Sequence, residues 1–176
     1  MNREVNVTDE QLQRAAANSS AAFLEVFVQA MKKKTGTEHI DAKALEMLTA
    51  EQLTLWGYWT MREEVLEGGF IQLIHNGWGP FFFENPYARA LRNWGLKDLA
   101  KLIYAARDLY WQHADTLTND CTDEEFMALY EQFPDFDPLD DDFVEHEELF
   151  TELIAHHIDA HIENFATITY DHGQEE

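Results

Sequence analysis

Asp141, Glu145, Glu148 and Glu152 stand at helical spacing, and Glu124, Glu125, Glu131, Asp135, Asp137 and Asp142 lie around them in the chain. Side chains at i, i+3 and i+4 share one face of a helix, about 5–6 Å apart. The four carboxylates therefore form a row of negative charge whose step is close to that between phosphates on one nucleic-acid strand. Basic proteins bind DNA largely through phosphate contacts. The chemistry this row offers is recognition of a basic surface rather than bond making. It belongs to an uneven charge distribution: residues 108–176 hold 21 Asp and Glu and no Lys or Arg, whereas residues 1–107 hold 12 bases against 13 acids. Nearly all of the net charge of −22 sits in the second segment. Like charges at i, i+4 destabilise a helix by a few tenths of a kcal/mol per pair, so stability alone does not account for them. A basic partner is implied, and direct binding to nucleic acid or an anionic membrane is disfavoured.

Other groupings carry weaker chemistry. Asp135, Asp137 and Asp140–Asp142 suggest a cation, but the EF-hand pattern fails: its sixth position is Asp140 instead of Gly and its twelfth is His146 instead of Glu. His157 and His161 are one turn apart, yet Ile158 follows His157 where a zincin requires Glu. A structural role beside the core is the better expectation for His156, His157 and His161, with protonation favoured by nearby acids. No metal or cofactor is expected. Gly68-Gly69 lacks the Lys-Ser/Thr of a phosphate loop and reads as a helix junction. Gln72 and Asn76, one turn apart, are expected to satisfy backbone groups in the following turn. Cys121 is the single cysteine, which excludes an internal disulfide and suggests a reducing compartment. No activating base for it is evident. The tryptophans at 56, 59, 78, 94 and 111 read as core or interface.

These residues are positioned by helices. Thr8 with Gln11, Thr49 with Gln52, and Thr122 with Glu125 are capping boxes. The first opens a long helix ending at Gly36, after Lys32–Lys34. A short helix follows over residues 41–48, and the second box opens a helix that Gly68-Gly69 ends. Residues 70–76 form another short helix, residues 76–80 a turn cluster, and Phe81–Phe83 are expected to be buried. Helices are read over about 85–94 and 96–114, the latter apolar at 99, 102, 103, 106, 109 and 110. The third box opens a helix to about 133, residues 134–138 form a loop, and a final helix runs over about 140–165. Its apolar stripe is Phe143, Phe150, Leu153, Ile154, Ile158, Ile162 and Phe165, and Asp140–Asp142 suit the dipole at its start. Residues 170–176 read as a frayed end. With no convincing strand or repeat, the expected fold is all-α: a single compact multi-helix domain over residues 1–176. At 45% hydrophobic and 13% aromatic it is not a disordered acidic tail. No leader is read at the N-terminus, and no apolar run approaches the ~20 residues that span a bilayer. A cytoplasmic protein is expected.

The run Glu64-Val65-Leu66-Glu67-Gly68-Gly69-Phe70-Ile71-Gln72, with Asn76, Gly79, Ala90-Leu91 and Gly95, resembles a bacterial domain-of-unknown-function family. That family includes a dimeric DNA-mimic protein. Leu139-Asp140, Phe143 and the 158–165 stretch repeat the resemblance near the C-terminus, so it covers about residues 45–165. The resemblance implies a helical fold, a homodimer, and surface carboxylates that occupy the DNA-binding face of a transcription regulator. The Gly-Gly-Phe motif marks the fold, and any mimicry rests on the acids.

Three readings follow. The first is a non-enzymatic DNA mimic that sequesters a basic DNA-binding protein through Glu124, Glu125, Glu131, Asp135, Asp137, Asp141, Asp142, Glu145, Glu148 and Glu152. The second is an enzyme or metal- or small-ligand-binding protein built around Gln72, His75 and Asn76 with His157 or His161. The third is a structural interaction protein whose acidic face is merely solvated.

Overall fold

The computed structural model describes residues 4–170. Among them the chain forms nine α-helices and one short pair of strands, and it divides into two compact units. The expected frayed C-terminal end lies, from residue 171 onward, outside the described residues.

The first unit comprises Met1–Trp59 and Thr151–Glu176. It opens with β1 (Asn6–Thr8), whose Thr8 then caps α1 (Asp9–Asn18) in a reciprocal box with Gln11. The single long helix expected up to Gly36 is two helices. Ser19 leaves helical geometry at φ −166°, ψ 164°, and its Oγ accepts the Ala22 N–H at 3.0 Å to start α2 (Ser20–Thr35). Serine competes for backbone donors in this way and so favours caps over helix interiors. Lys32–Lys34 occupy the last turn of α2, and Gly36 closes it in the left-handed conformation. Then follow α3 (Ala42–Met47) and the first part of α4 (Ala50–His75). The second capping box forms at Thr49 and Gln52. Gln52 Nε2 also donates to the Phe165 carbonyl at 3.0 Å, which satisfies a buried amide. The core of this unit includes Leu24, Phe27, Val28, Met31, Trp56 and Ile158, all at most 1% exposed.

The expectation of no strand fails at the edges of this unit. β2 (Thr167–Thr169) pairs in parallel with β1, Val7 opposite Ile168. Two three-residue strands are too short for an alternation to register in the sequence.

The second unit is Thr60–Phe150. It holds the rest of α4, then α5 (Gly79–Phe83), α6 (Tyr87–Asn93), α7 (Lys97–Leu117), α8 (Asp123–Gln132) and the first part of α9 (Asp137–Ala160). Thr122 and Glu125 form the third reciprocal box at the start of α8. Phe82 and Phe83 are buried as expected, whereas Phe81 is half-buried. The loop expected at 134–138 is a 3₁₀ turn at Pro134–Phe136 that runs directly into α9, so α9 begins at Asp137 and not near 140. Pro138 falls in its first turn, where a missing N–H costs no intrahelical bond. α9 also stops at Ala160, short of the expected 165, and a 3₁₀ turn at Ile162–Asn164 follows.

Candidate functional site

The ten candidate acids are all solvent-exposed. On α9, Asp141, Glu145, Glu148 and Glu152 follow one another at intervals of four, three and four. Phe143, Phe150, Ile154 and Ile158, each at most 4% exposed, occupy the opposite side of the same helix. At about 1.5 Å per residue the row extends roughly 16 Å along the axis. Glu124, Glu125 and Glu131 lie on α8, Asp135 in the 3₁₀ turn, and Asp137 and Asp142 in the first two turns of α9.

Some of these acids have local work. Glu125 Oε2 accepts the Thr122 N–H at 2.8 Å in its capping box. Asp142 Oδ1 lies 2.8 Å from His146 Nδ1. The His146 pKa is raised by its bond to the Asp142 carbonyl, and by the charges of Asp142 and Glu145. Glu152 lies 3.6 Å from His156 Nε2. None of the ten is ion-paired to a Lys or Arg among the described residues. A carboxylate row without cations of its own leaves its field directed at solvent.

Glu147 departs from this pattern. It lies in the same segment but is 9% exposed and pairs with Arg62 Nε of α4. The segment that lacks its own bases thus receives one from α4, and the base goes to the acid that is out of water. Period alone hid this, because the pair is separated by 85 residues.

Asp140 also stands apart. It is half-buried, and its Oδ1 accepts the Phe70 N–H at 2.8 Å. α9 begins three residues earlier than expected but still holds Asp140 in its first turn, and the carboxylate serves a second helix as well: it caps the helical run that restarts at Phe70. The restart is needed because Gly68 and Gly69 break α4. Gly69 adopts φ 71°, and a Cβ there would collide with the Asp140 carboxylate. Tyr130 completes the junction by donating its hydroxyl to the Gly68 carbonyl at 2.7 Å.

The Gly-Gly-Phe run and Leu139-Asp140 are therefore one structural device. This agrees with the comparison to known proteins, in which the DMP19-like protein family matches residues 46–161. The chain belongs to the DMP19-like family. A relative, DNA mimic protein DMP19 of Neisseria meningitidis serogroup B (strain ATCC BAA-335 / MC58), is 37% identical over 149 residues, which is 84% of this chain and 84% of that protein. The DMP19-like match contains both halves of the Gly69–Asp140 junction and every candidate acid.

The remaining candidates in this DMP19-like chain resolve into structural roles. Gln72 and Asn76 do not serve the turn backbone as expected. Gln72 Nε2 donates to Glu64 at 3.1 Å and Glu67 at 3.2 Å, and Asn76 Nδ2 donates to Glu64 at 2.9 Å. They hold the two arms of the broken α4 together through Glu64. His75 Nδ1 bonds the Leu117 carbonyl at 2.9 Å, and its ring packs 4.8 Å from that of Phe126. Its Nε2 lies 4.0 Å from Cys121 Sγ, so the thiol has a neighbouring imidazole that spacing did not reveal. His157 and His161 stack at 4.4 Å. The expected protonation fails at His157, whose pKa is lowered by burial and then by the charge of His161, with Glu51 opposing. Among the described residues, no three His, Cys, Asp or Glu are placed to hold a metal ion. No helix among them is long and apolar enough to cross a membrane.

Proposed function

We propose that this protein is an acidic, non-enzymatic DNA mimic that occupies the DNA-binding face of a basic protein, with a transcription regulator as the target class. The observation that carries the reading is the row at Asp141, Glu145, Glu148 and Glu152, which is exposed, unpaired with Lys or Arg among the described residues, and backed by a buried apolar stripe. Its step suits a surface evolved to contact successive phosphates, because such a surface places Lys and Arg where charge recurs along the strand. Glu124, Glu125, Glu131, Asp135, Asp137 and Asp142 add to the same field. The relative named as a DNA mimic supports the reading. In this reading the protein acts in the cytoplasm, where such targets work, and as a homodimer.

The test is capture of targets from a lysate of the source cell on the immobilised protein, with elution by a salt gradient. Recovery of one basic DNA-binding protein, displaced by its own operator duplex, is the expected result. Replacing Asp141 and Glu148 together by Lys should abolish the capture while far-UV circular dichroism is unchanged. Capture that persists in the double variant at moderate salt would remove this face from the reading. A diffuse release of many basic proteins at low salt would reduce the acids to a solvated surface.

A further inference from the structure

A groove of about 300 Å³ is lined by α7 and the first part of α9, all within the second unit. Leu102 and Ala105 of α7 face Leu139 and Leu149 of α9 across it. Leu149 is 50% exposed. It stands four residues after Glu145 and so lies beside that carboxylate on the helix surface, one turn on. Apolar surface therefore borders the acid row directly. The rim of the groove carries Asp98 and Asp142 against one base, Lys101, and Asp142 is held at 2.8 Å by His146, which also lines it.

A row of carboxylates gives little selectivity by itself. Contacts that imitate phosphates suit any basic surface and weaken as salt rises. Exposed ion pairs are individually weak and screened. Apolar burial is not screened, and only a partner with an apolar group in the right place can supply it. A helix laid in a groove by its apolar side chains is a common mode of recognition. A helix with Lys and Arg on one face and a Leu-sized side chain beside them would meet the acid row and the groove together.

We propose that the groove between α7 and α9 takes an apolar side chain from a basic amphipathic helix of the target, while the Lys and Arg of that helix meet Asp141, Glu145 and Glu148. Charge selects this occupant: the carboxylates of the row and the rim favour a cationic helix and repel an acidic one. The groove thereby sets which basic protein the acid row retains, a role that rests on the mimic reading above.

Isothermal titration of the full chain with two synthetic helical peptides tests it. Both peptides carry the same row of Lys at helical spacing; one has Leu on the adjoining face and the other has Ser there. The Leu peptide is expected to bind about tenfold tighter, as burial of one apolar side chain allows. The two should weaken equally with salt, since their charges are the same. Ala105→Phe fills the groove and Leu149→Ala strips its lip, and both leave the net charge at −22. Each should shrink the preference to about threefold or less. Leu149→Ala places a strong helix former at an exposed position, so the fold survives it. Equal binding of the two peptides, binding of neither at about 1 mM, or a tenfold preference that survives either change would each overturn the proposal. Equal, salt-sensitive binding joined to capture of a target that operator DNA displaces would overturn it and leave the mimic reading standing. A Leu preference that both variants lose, in a protein that captures nothing from the lysate, would do the reverse.

Discussion

Asp140 and Phe70 are seventy residues apart in sequence, and Asp140 Oδ1 accepts the backbone N–H of Phe70 at 2.8 Å. The bond joins the acidic segment to the glycine junction of α4. It also satisfies one of the donors that a helix start leaves unpaired. Asp140→Ala should therefore lower stability by about 0.5–2 kcal/mol, the usual cost of removing a cap. Urea unfolding followed by tryptophan fluorescence measures it, and an unchanged midpoint would mean that solvent replaces the carboxylate without loss.

Gly69 is the other side of that contact. Its φ of 71° disfavours any side chain by roughly 1–2 kcal/mol, and a Cβ would also meet the Asp140 carboxylate. Gly69→Ala is expected to destabilise by more than the backbone cost alone. Combined with Asp140→Ala, the loss should be smaller than the sum of the two, because the collision disappears with the carboxylate. Strict additivity in the double variant would show that the two residues do not press on one another.

Burial raises the Asp140 pKa from 3.8 to about 6; the Phe70 N–H opposes the rise, and the Asp137 and Asp141 charges add to it. Ionising Asp140 is thus harder in the fold than in the unfolded chain. Its contribution to stability is fullest below about pH 3.8 and is lost as pH rises through about 6. Asp140→Asn keeps an acceptor but cannot titrate. The stability difference between wild type and Asp140→Asn should move in favour of wild type as pH falls from 7 to 4. Parallel pH profiles for the two proteins would refute the assignment, whatever the rest of the acidic surface does to both.

What the sequence disclosed follows the range of each interaction. The three capping boxes at Thr8, Thr49 and Thr122 are signals of four residues, and all three form. The exposure of Asp141, Glu145, Glu148 and Glu152 follows from one helix and its apolar period, so it too was legible. Glu147 and Asp140 were not, since their roles depend on Arg62 and Phe70, which the chain brings from α4. The same holds for His75 beside Cys121 and for the pairing of Val7 with Ile168. The break at Ser19 was local and was obscured for another reason: alanines on both sides of it favour a continuous helix.

Glu147 and Glu148 are neighbours with opposite demands. Glu147→Ala leaves the Arg62 guanidinium, 22% exposed, without its carboxylate, and should cost about 1.5–3 kcal/mol. Glu148→Ala removes an exposed side chain with no Lys or Arg paired to it among the described residues, and should stay within about 0.5 kcal/mol of wild type. In a capture assay the order should invert: the Glu148 change weakens retention of a basic target, and the Glu147 change does not while the protein remains folded. Equal effects on retention would mean that the target senses total charge and not the row.

The row itself should cost stability. Asp141 with Glu145, and Glu148 with Glu152, are like charges at i, i+4, each unfavourable by a few tenths of a kcal/mol. Replacing Asp141 and Glu148 by Lys turns both repulsions into attractions between oppositely charged neighbours. The double variant should therefore be more stable than wild type, by about 0.5–1 kcal/mol at low ionic strength, with the gain shrinking as salt screens it. The same variant is the one expected to lose capture. A gain in stability joined to a loss of binding is the pattern of a surface kept for function against the stability of the fold. Paired urea titrations at low and high salt, run on the protein used for capture, decide it. A double variant less stable than wild type would show that these carboxylates serve the fold, and the case for the row as a binding surface would weaken with it.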